Sequence, residues 1–231
     1  ARPYVRPVLD PNPWTDAFIE ADKSAGPFRA AVRALRRESI ETGVLLPNSF
    51  RSALMFWLGG VHRRVGYARG GRGFLLTDRL QARCCSGRFV PTPQITYYLA
   101  LAEHLGAPTD DRRMELATTE QDEAAATAAY ETAELEPATT LLLCPGYAFG
   151  PSKGWPAPHW GELVRGARER FGLRSAVLCS PKEAQLATAI SDAAGGCPTF
   201  CDKGISLASA RAVVRRGRAM VTIDSGLRHY A

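Results

Sequence analysis

No apolar run in the chain approaches the ~18 residues that a membrane-spanning helix requires, so a helical span is excluded. The first residues, Ala1 to Pro13, lack the charged-then-apolar pattern of a secretory signal and open instead on a proline-rich, half-extended stretch. C-x-x-C spacing is missing too. The six cysteines (Cys84, Cys85, Cys144, Cys179, Cys197, Cys201) come no nearer to it than Cys197-x-x-x-Cys201, and no histidine lies near any of them in sequence. A metal site is therefore not expected. Cys144 and Cys179 end apolar runs, where a free thiol behaves as a small buried hydrophobe, so the expectation is reduced, structural cysteines in a cytosolic protein. Recognised nucleic-acid motifs are absent, and the arginines are scattered and mixed with acids, which argues against a nucleic-acid partner.

What is present is a chain of 231 residues, long enough for one large or two small domains with real cores. Its formal charge of +6 favours anionic partners such as nucleotides, phosphorylated glycans or acidic lipid surfaces, without choosing among them.

The most informative stretch runs from Leu141 to Pro156, where an apolar run breaks into a glycine- and proline-rich loop carrying Lys153. Thr139 to Leu143 reads as a buried parallel strand, and Pro145, Gly146, Gly150 and Pro151 forbid helix continuation. Beyond the loop, Trp160, Leu163, Val164, Ala167 and Phe171 recur at helical spacing, the stripe of a helix packed on a sheet. The unit is strand, loop, helix, and in an open α/β sheet ligands bind at the carboxyl ends of the strands, where a helix start favours phosphate. Lys153 belongs there; the competing reading is a solvated lysine.

The same grammar is found elsewhere. Asp16 to Glu20 reads as a short strand, Phe28 to Ser39 as an amphipathic helix with Phe28, Ala31, Val32 and Leu35 inward, and Gly43 to Pro47 as a strand. A buried helix over Ala53 to Leu58 starts at an Asn or Ser cap. A further strand precedes the Gly/Arg-rich loop Ala68 to Gly73, whose surroundings (Arg63, Arg64, Arg69, Arg72) make either an anion site or a solvated surface. Thr92 to Gly106 is a helix ending at a glycine. Thr119 to Leu135 is a capped, partly exposed helix expected to link two lobes. Next come a strand over Ser175 to Cys179, a helix capped by Ser180-Pro181-Lys182-Glu183, and a helix over Leu207 to Arg216 with Leu207, Ala210, Val213 and Val214 inward. The strand Ala219 to Ile223 ends at Asp224-Ser225-Gly226-Leu227-Arg228-His229, where small residues let backbone N–H groups approach an anion. The competing local readings are Asp224 as a cap of the next helix and His229 as a packed core histidine, the latter favoured where local pattern alone decides. Two Rossmann-like lobes explain this repetition, with residues 1–117 as an N-terminal lobe, 118–137 as a linker helix and 138–231 as a C-terminal lobe.

Taken together, Cys144-Pro145-Gly146, Phe149 to Pro156 and Asp224-Ser225-Gly226-Leu227-x-His229 resemble the paired signatures of the glycosyltransferase family 9 heptosyltransferases. Leu46 to Ala53 and Arg64-Val65-Gly66-Tyr67 extend the likeness over nearly the whole chain. The resemblance implies an α/β fold of two Rossmann-like lobes of glycosyltransferase B type, both truncated here. It implies ADP-L-glycero-D-manno-heptose as donor, the lipopolysaccharide inner core as acceptor, and inversion by direct displacement, with no metal or other cofactor. Lys153 is then expected to neutralise the departing diphosphate, with Ser225, Gly226 and Leu227 donating to it. Asp224 accepts from heptose hydroxyls, Glu183 from ribose, and His229 serves the same lobe. Asn48, Ser49, Arg51 and Arg64 are acceptor-side. The expected setting is a cytoplasmic monomer, peripheral at the inner membrane.

The chain departs from the family pattern in one respect. The family's base is an Asp in a glycine-containing loop after the first strand, and neither Asp10 nor Asp16 has that setting in the sequence. Both ends look cut, so the expectation is a fragment that does not turn over by itself. The alternative is a catalytically silent nucleotide-sugar- or lipopolysaccharide-binding module on the same scaffold.

Overall fold

The computed structural model describes residues 2–21, 24–147 and 150–231. Ala148 and Phe149 of the central loop lie outside the described residues. The chain divides into two compact units, one of residues 1–6 and 16–115, the other of residues 7–15 and 116–231. The helices are α1 (Arg6–Leu9), α2 (Ala25–Glu38), α3 (Phe50–Leu58), α4 (Gln94–His104), α5 (Glu120–Thr132), α6 (Ala157–Phe171), α7 (Ala184–Ala193) and α8 (Ala210–Arg216). The strands are β1 (Thr42–Leu45), β2 (Arg63–Tyr67), β3 (Asp78–Leu80), β4 (Cys84–Cys85), β5 (Arg88–Phe89), β6 (Thr140–Cys144), β7 (Arg174–Val177) and β8 (Ala219–Thr222). Among the described residues no helix is long and apolar enough to cross a membrane.

In the first unit, β1, β2 and β3 form a parallel sheet in that order, Val44 opposite Val65 and Val65 opposite Asp78. The helix after β1 starts where the sequence indicates, since the Ser49 hydroxyl accepts from the Ser52 N–H at 3.2 Å. Only Ala53 of α3 is buried, however, and Trp57 is exposed, so the apolar run there makes a surface-lying helix and not a buried one. Tyr97 and Leu101 of α4 pack on Val65 and Tyr67, with the Tyr67 and Tyr97 rings stacked at 3.8 Å. Asp16 to Glu20 forms no strand, having no partner strand to pair with among the described residues. Asp78 accepts from Arg63, His104 and Thr77, which hold its carboxyl far below the usual range.

In the second unit the parallel order is β7-β6-β8, so β6 is central and every residue of it is buried. Its alternation serves two cores. Leu142 and Cys144 face a cluster with Ala126, Tyr130, Phe200 and Val213, and Leu141 and Leu143 face another with Trp160, Val164, Ile190 and Val177. Helices α5 and α8 thus cover one face, α6 and α7 the other. Here α5 differs from the expected lobe linker. Its Thr119–Asp122 capping box forms, but Ala126, Ala129 and Tyr130 are core residues and the Tyr130 hydroxyl donates to the Val213 carbonyl at 2.9 Å. Two inward assignments also fail. Phe171 at the end of α6 and Leu207 before α8 are exposed, because each lies beyond the turns that reach the sheet.

The buried cysteines behave as small hydrophobes. Burial pushes the Cys144 and Cys179 thiols up to about 12 and that of Cys197 up to about 11. Cys84 and Cys85, by contrast, are exposed on the two-stranded ribbon of β4 and β5, so they play no part in a core.

Helix α6 carries two glycines in unlike settings. A Cβ at Gly161 would lie 2.3 Å from the Ala193 carbonyl oxygen, whereas one at Gly166 meets nothing within 4 Å. Gly161→Ala is therefore expected to lower stability by about 1–3 kcal/mol through overpacking, and Gly166→Ala to leave it unchanged or raise it by up to about 1 kcal/mol. Urea unfolding of both variants checks this; equal effects would contradict the close α6–α7 approach. Acid titration offers a second check. Because the folded pKa of Asp78 is depressed, its contribution to stability is complete above the ordinary carboxylate range near pH 4 and is lost as pH falls through the folded value. Asp78→Asn is expected to flatten the acid limb of unfolding and to leave less stability near neutral pH, measured by fluorescence against pH.

Candidate functional site

The carboxyl ends of β6, β7 and β8 open into a cleft of about 700 Å³, within the range of small-molecule pockets. Gly146 and Tyr147 follow β6, Ser180 and Glu183 follow β7, and Asp224 to His229 follow β8. Lys153 enters from the central loop. Gly150, at φ +103°, makes the bend that only glycine takes comfortably, and Lys153 closes a 3₁₀ turn by donating its N–H to the Gly150 carbonyl at 3.3 Å. Downstream, the buried Trp160 indole donates to the Trp155 carbonyl at 3.1 Å, which ties the loop to α6.

Lys153 and the turn after β8 meet directly. Lys153 Nζ lies 2.6 Å from Asp224 Oδ2, although 71 residues separate them in sequence. Arg228 Nη1 lies 2.5 Å from Asp224 Oδ1. The Lys153 hydrogen bond, then the Arg228 charge, hold the Asp224 carboxyl below its ordinary value. Asp224 is therefore not a helix cap, and the residue at the cap position is Ser225. His229 is exposed on the cleft wall and not a packed core histidine.

Two predicted donors are already engaged. The Ser225 N–H donates to the Ile223 carbonyl at 2.7 Å, and its hydroxyl lies 3.2 Å from that of Thr222. Gly226 has open space where a Cβ would be, and Leu227 packs partly against the core beneath. Glu183 reaches back as the partner of a capping box, its Oε2 accepting from the Ser180 N–H at 2.9 Å and hydroxyl at 2.7 Å. A Cβ at Gly146 would lie 2.3 Å from Glu183 Oε1, so a glycine there lets the carboxylate sit at the strand end.

The structure thus brings Lys153, Glu183, Asp224, Ser225, Gly226, Leu227 and His229 into one cleft. Asn48, Ser49, Arg51 and Arg64 belong to the other unit and are engaged there. The Asn48 amide donates to the Tyr97 hydroxyl, Arg51 donates to the Ser24 carbonyl, and Arg64 donates to the carbonyls of Leu75 and Val61. Fully buried Arg72 binds the carbonyls of Tyr67 and Pro47 and the Asn48 side chain, while Arg69 stacks on Phe89. These arginines hold loops and do not form an open anion site. Asp10 lies in a turn after α1 and Asp16 in a bend, neither after a strand. Sequence reading missed Ile205, Leu207 and Ala210 on the apolar wall and Arg228 beside Asp224. The signal for Arg228 was the unassigned position inside Asp224-Ser225-Gly226-Leu227-x-His229.

The chain is similar to "Lipopolysaccharide heptosyltransferase 2" of Escherichia coli, with 26% identity over 245 residues covering 99% of this chain and 68% of that protein. Among solved structures, E. coli ADP-heptose lps heptosyltransferase II superposes with a TM-score of 0.77 at 25% identity, over 100% of this chain and 70% of that one. E. coli heptosyltransferase WaaC with ADP-2-deoxy-2-fluoro heptose shares the fold at a TM-score of 0.60 and 18% identity, over 90% and 64% of the two chains. Residues 28–231 match the profile of glycosyltransferase family 9 (heptosyltransferase), and the chain belongs to that family.

Proposed function

We propose that the cleft binds ADP-L-glycero-D-manno-heptose and that the protein transfers the heptose, with inversion, to the lipopolysaccharide inner core. The observation that carries this reading is the 2.6 Å meeting of Lys153 with the turn after β8, at the carboxyl end of a parallel sheet. In this reading an acceptor hydroxyl attacks the anomeric carbon from the face opposite the diphosphate, and the bond to the diphosphate oxygen breaks with both electrons going to ADP. Lys153 opposes the charge that grows there, with Gly226 and Leu227 donating backbone N–H groups and the Ser225 hydroxyl exchanging its 3.2 Å contact with Thr222 for the diphosphate. A fixed cation placed where charge develops lowers the barrier and not only the dissociation constant. Asp224 accepts from heptose hydroxyls, with His229 beside it, and Glu183 faces the ribose. The adenine rests against Ile205 and Leu207.

The likeness to E. coli ADP-heptose lps heptosyltransferase II supports the choice of donor. On the acceptor side, the first unit holds 17 of the 29 Lys+Arg but only 10 of the 23 Asp+Glu, a surplus that suits a phosphorylated glycolipid at the cytoplasmic face of the inner membrane. Asn48, Ser49, Arg51 and Arg64 shape that side. No residue of the chain is assigned as the base that takes the acceptor proton. The alternative on the same scaffold is donor binding without turnover.

Calorimetric titration with ADP, UDP and GDP tests the donor assignment. ADP is expected to bind most tightly, and Lys153→Ala to weaken it about tenfold or more, as loss of a charged hydrogen bond of ~1.5–3 kcal/mol dictates. An unchanged ADP affinity in that variant would remove Lys153 from the site. ADP release from ADP-heptose in the presence of heptose-bearing acceptor separates the two readings, since the binding module gives none.

A further inference from the structure

Arg228 forms the other half of the grip on Asp224. Each oxygen of this one carboxylate holds one cation, Lys153 at 2.6 Å and Arg228 at 2.5 Å. All three side chains are roughly half exposed, at 39% for Lys153, 55% for Asp224 and 50% for Arg228, and all line the cleft. His229 adjoins them, its Nε2 3.4 Å from Arg228 Nε. Two cations converge within the width of a carboxylate and carry a net positive surplus. A diphosphate, with more charge and more oxygens, matches that arrangement better than a single carboxylate does. Arg228 also has the planar donor set suited to bridging phosphate oxygens.

The geometry points to Asp224 as an internal placeholder anion and to Arg228 as a second diphosphate-binding residue. This rests on the reading that the cleft takes a nucleoside diphosphate sugar. The diphosphate displaces Asp224 from Lys153 and Arg228, and the released carboxylate becomes available to the sugar hydroxyls. Sugar recognition then follows diphosphate binding, because the group that reads the sugar is held until the diphosphate arrives. ADP alone competes with Asp224 for its cations, whereas ADP-sugar gives the displaced carboxylate new donors. A nucleotide sugar is thereby favoured over the free nucleotide product.

The test is calorimetry on the chain with inorganic pyrophosphate, ADP and AMP, using Asp224→Asn, Asp224→Ala and Arg228→Met, each checked for an unchanged thermal melt. Both Asp224 variants are expected to bind pyrophosphate and ADP more tightly, by roughly 3–10-fold, because the competing charge is gone. Arg228→Met is expected to weaken pyrophosphate and ADP by about tenfold and AMP by less than about threefold, since AMP lacks the second phosphate. Weaker or unchanged pyrophosphate binding in both Asp224 variants overturns the placeholder. Equal losses of ADP and AMP in Arg228→Met overturn its role at the diphosphate. If the unaltered chain binds neither pyrophosphate nor ADP, or Lys153→Ala changes nothing, the donor-site reading itself fails and the placeholder with it. If those hold and only the Asp224 gain is missing, the donor site stands alone.

Discussion

One buried strand governs both the second unit and its cleft. Thr140–Cys144 is covered on both faces, so its alternate side chains must satisfy two helix layers at once, and both strand neighbours run parallel to it. That constraint aligns three carboxyl ends on one side. Gly146, Ser180 and Asp224 then come together although they are far apart in sequence, and the loop after β6 has only to turn once to deliver Lys153 to Asp224 in the turn after β8. The site is a consequence of the sheet order.

The electrostatics of the cleft follow from the same convergence. A lysine and an arginine placed side by side repel, and Asp224 between them relieves that repulsion while keeping both directed inward. Because the cluster is half exposed, water screens it and the pairs stay exchangeable, unlike the buried Arg211 and Arg72, which are fixed on backbone carbonyls. Arginines of one sequence type thus divide by burial into those that hold the chain and those that can change partner.

Much of this was legible in the sequence. The apolar run of β6, its break at Pro145 and Gly146, and the stripe of α6 gave a strand, a loop and a helix with little error, because each signal is local and both faces of the strand are hydrophobic. The Ser49 and Ser180 caps were equally plain, since capping needs only residues a few positions apart. What was not legible depended on partners distant in the chain. Asp16 to Glu20 has strand-like residues but no strand to pair with among the described residues, and α5 reads as a partly exposed linker because its core face is mostly alanine, which scores weakly as hydrophobic, with Tyr130 the one large residue. Leu207 and Phe171 continued a helical period past the point where the sheet ends. Arg228 was hidden for another reason: its role exists only through Asp224, whose other oxygen is claimed by a lysine 71 residues earlier.

The central claim is that Lys153 and the turn after β8 serve one diphosphate. A crystal structure of the chain with ADP tests it most directly. The account predicts a diphosphate oxygen within hydrogen-bond distance of Lys153 Nζ, with Asp224 released from that ammonium. ADP bound elsewhere, or bound in the cleft with Lys153 still held by Asp224, would contradict it.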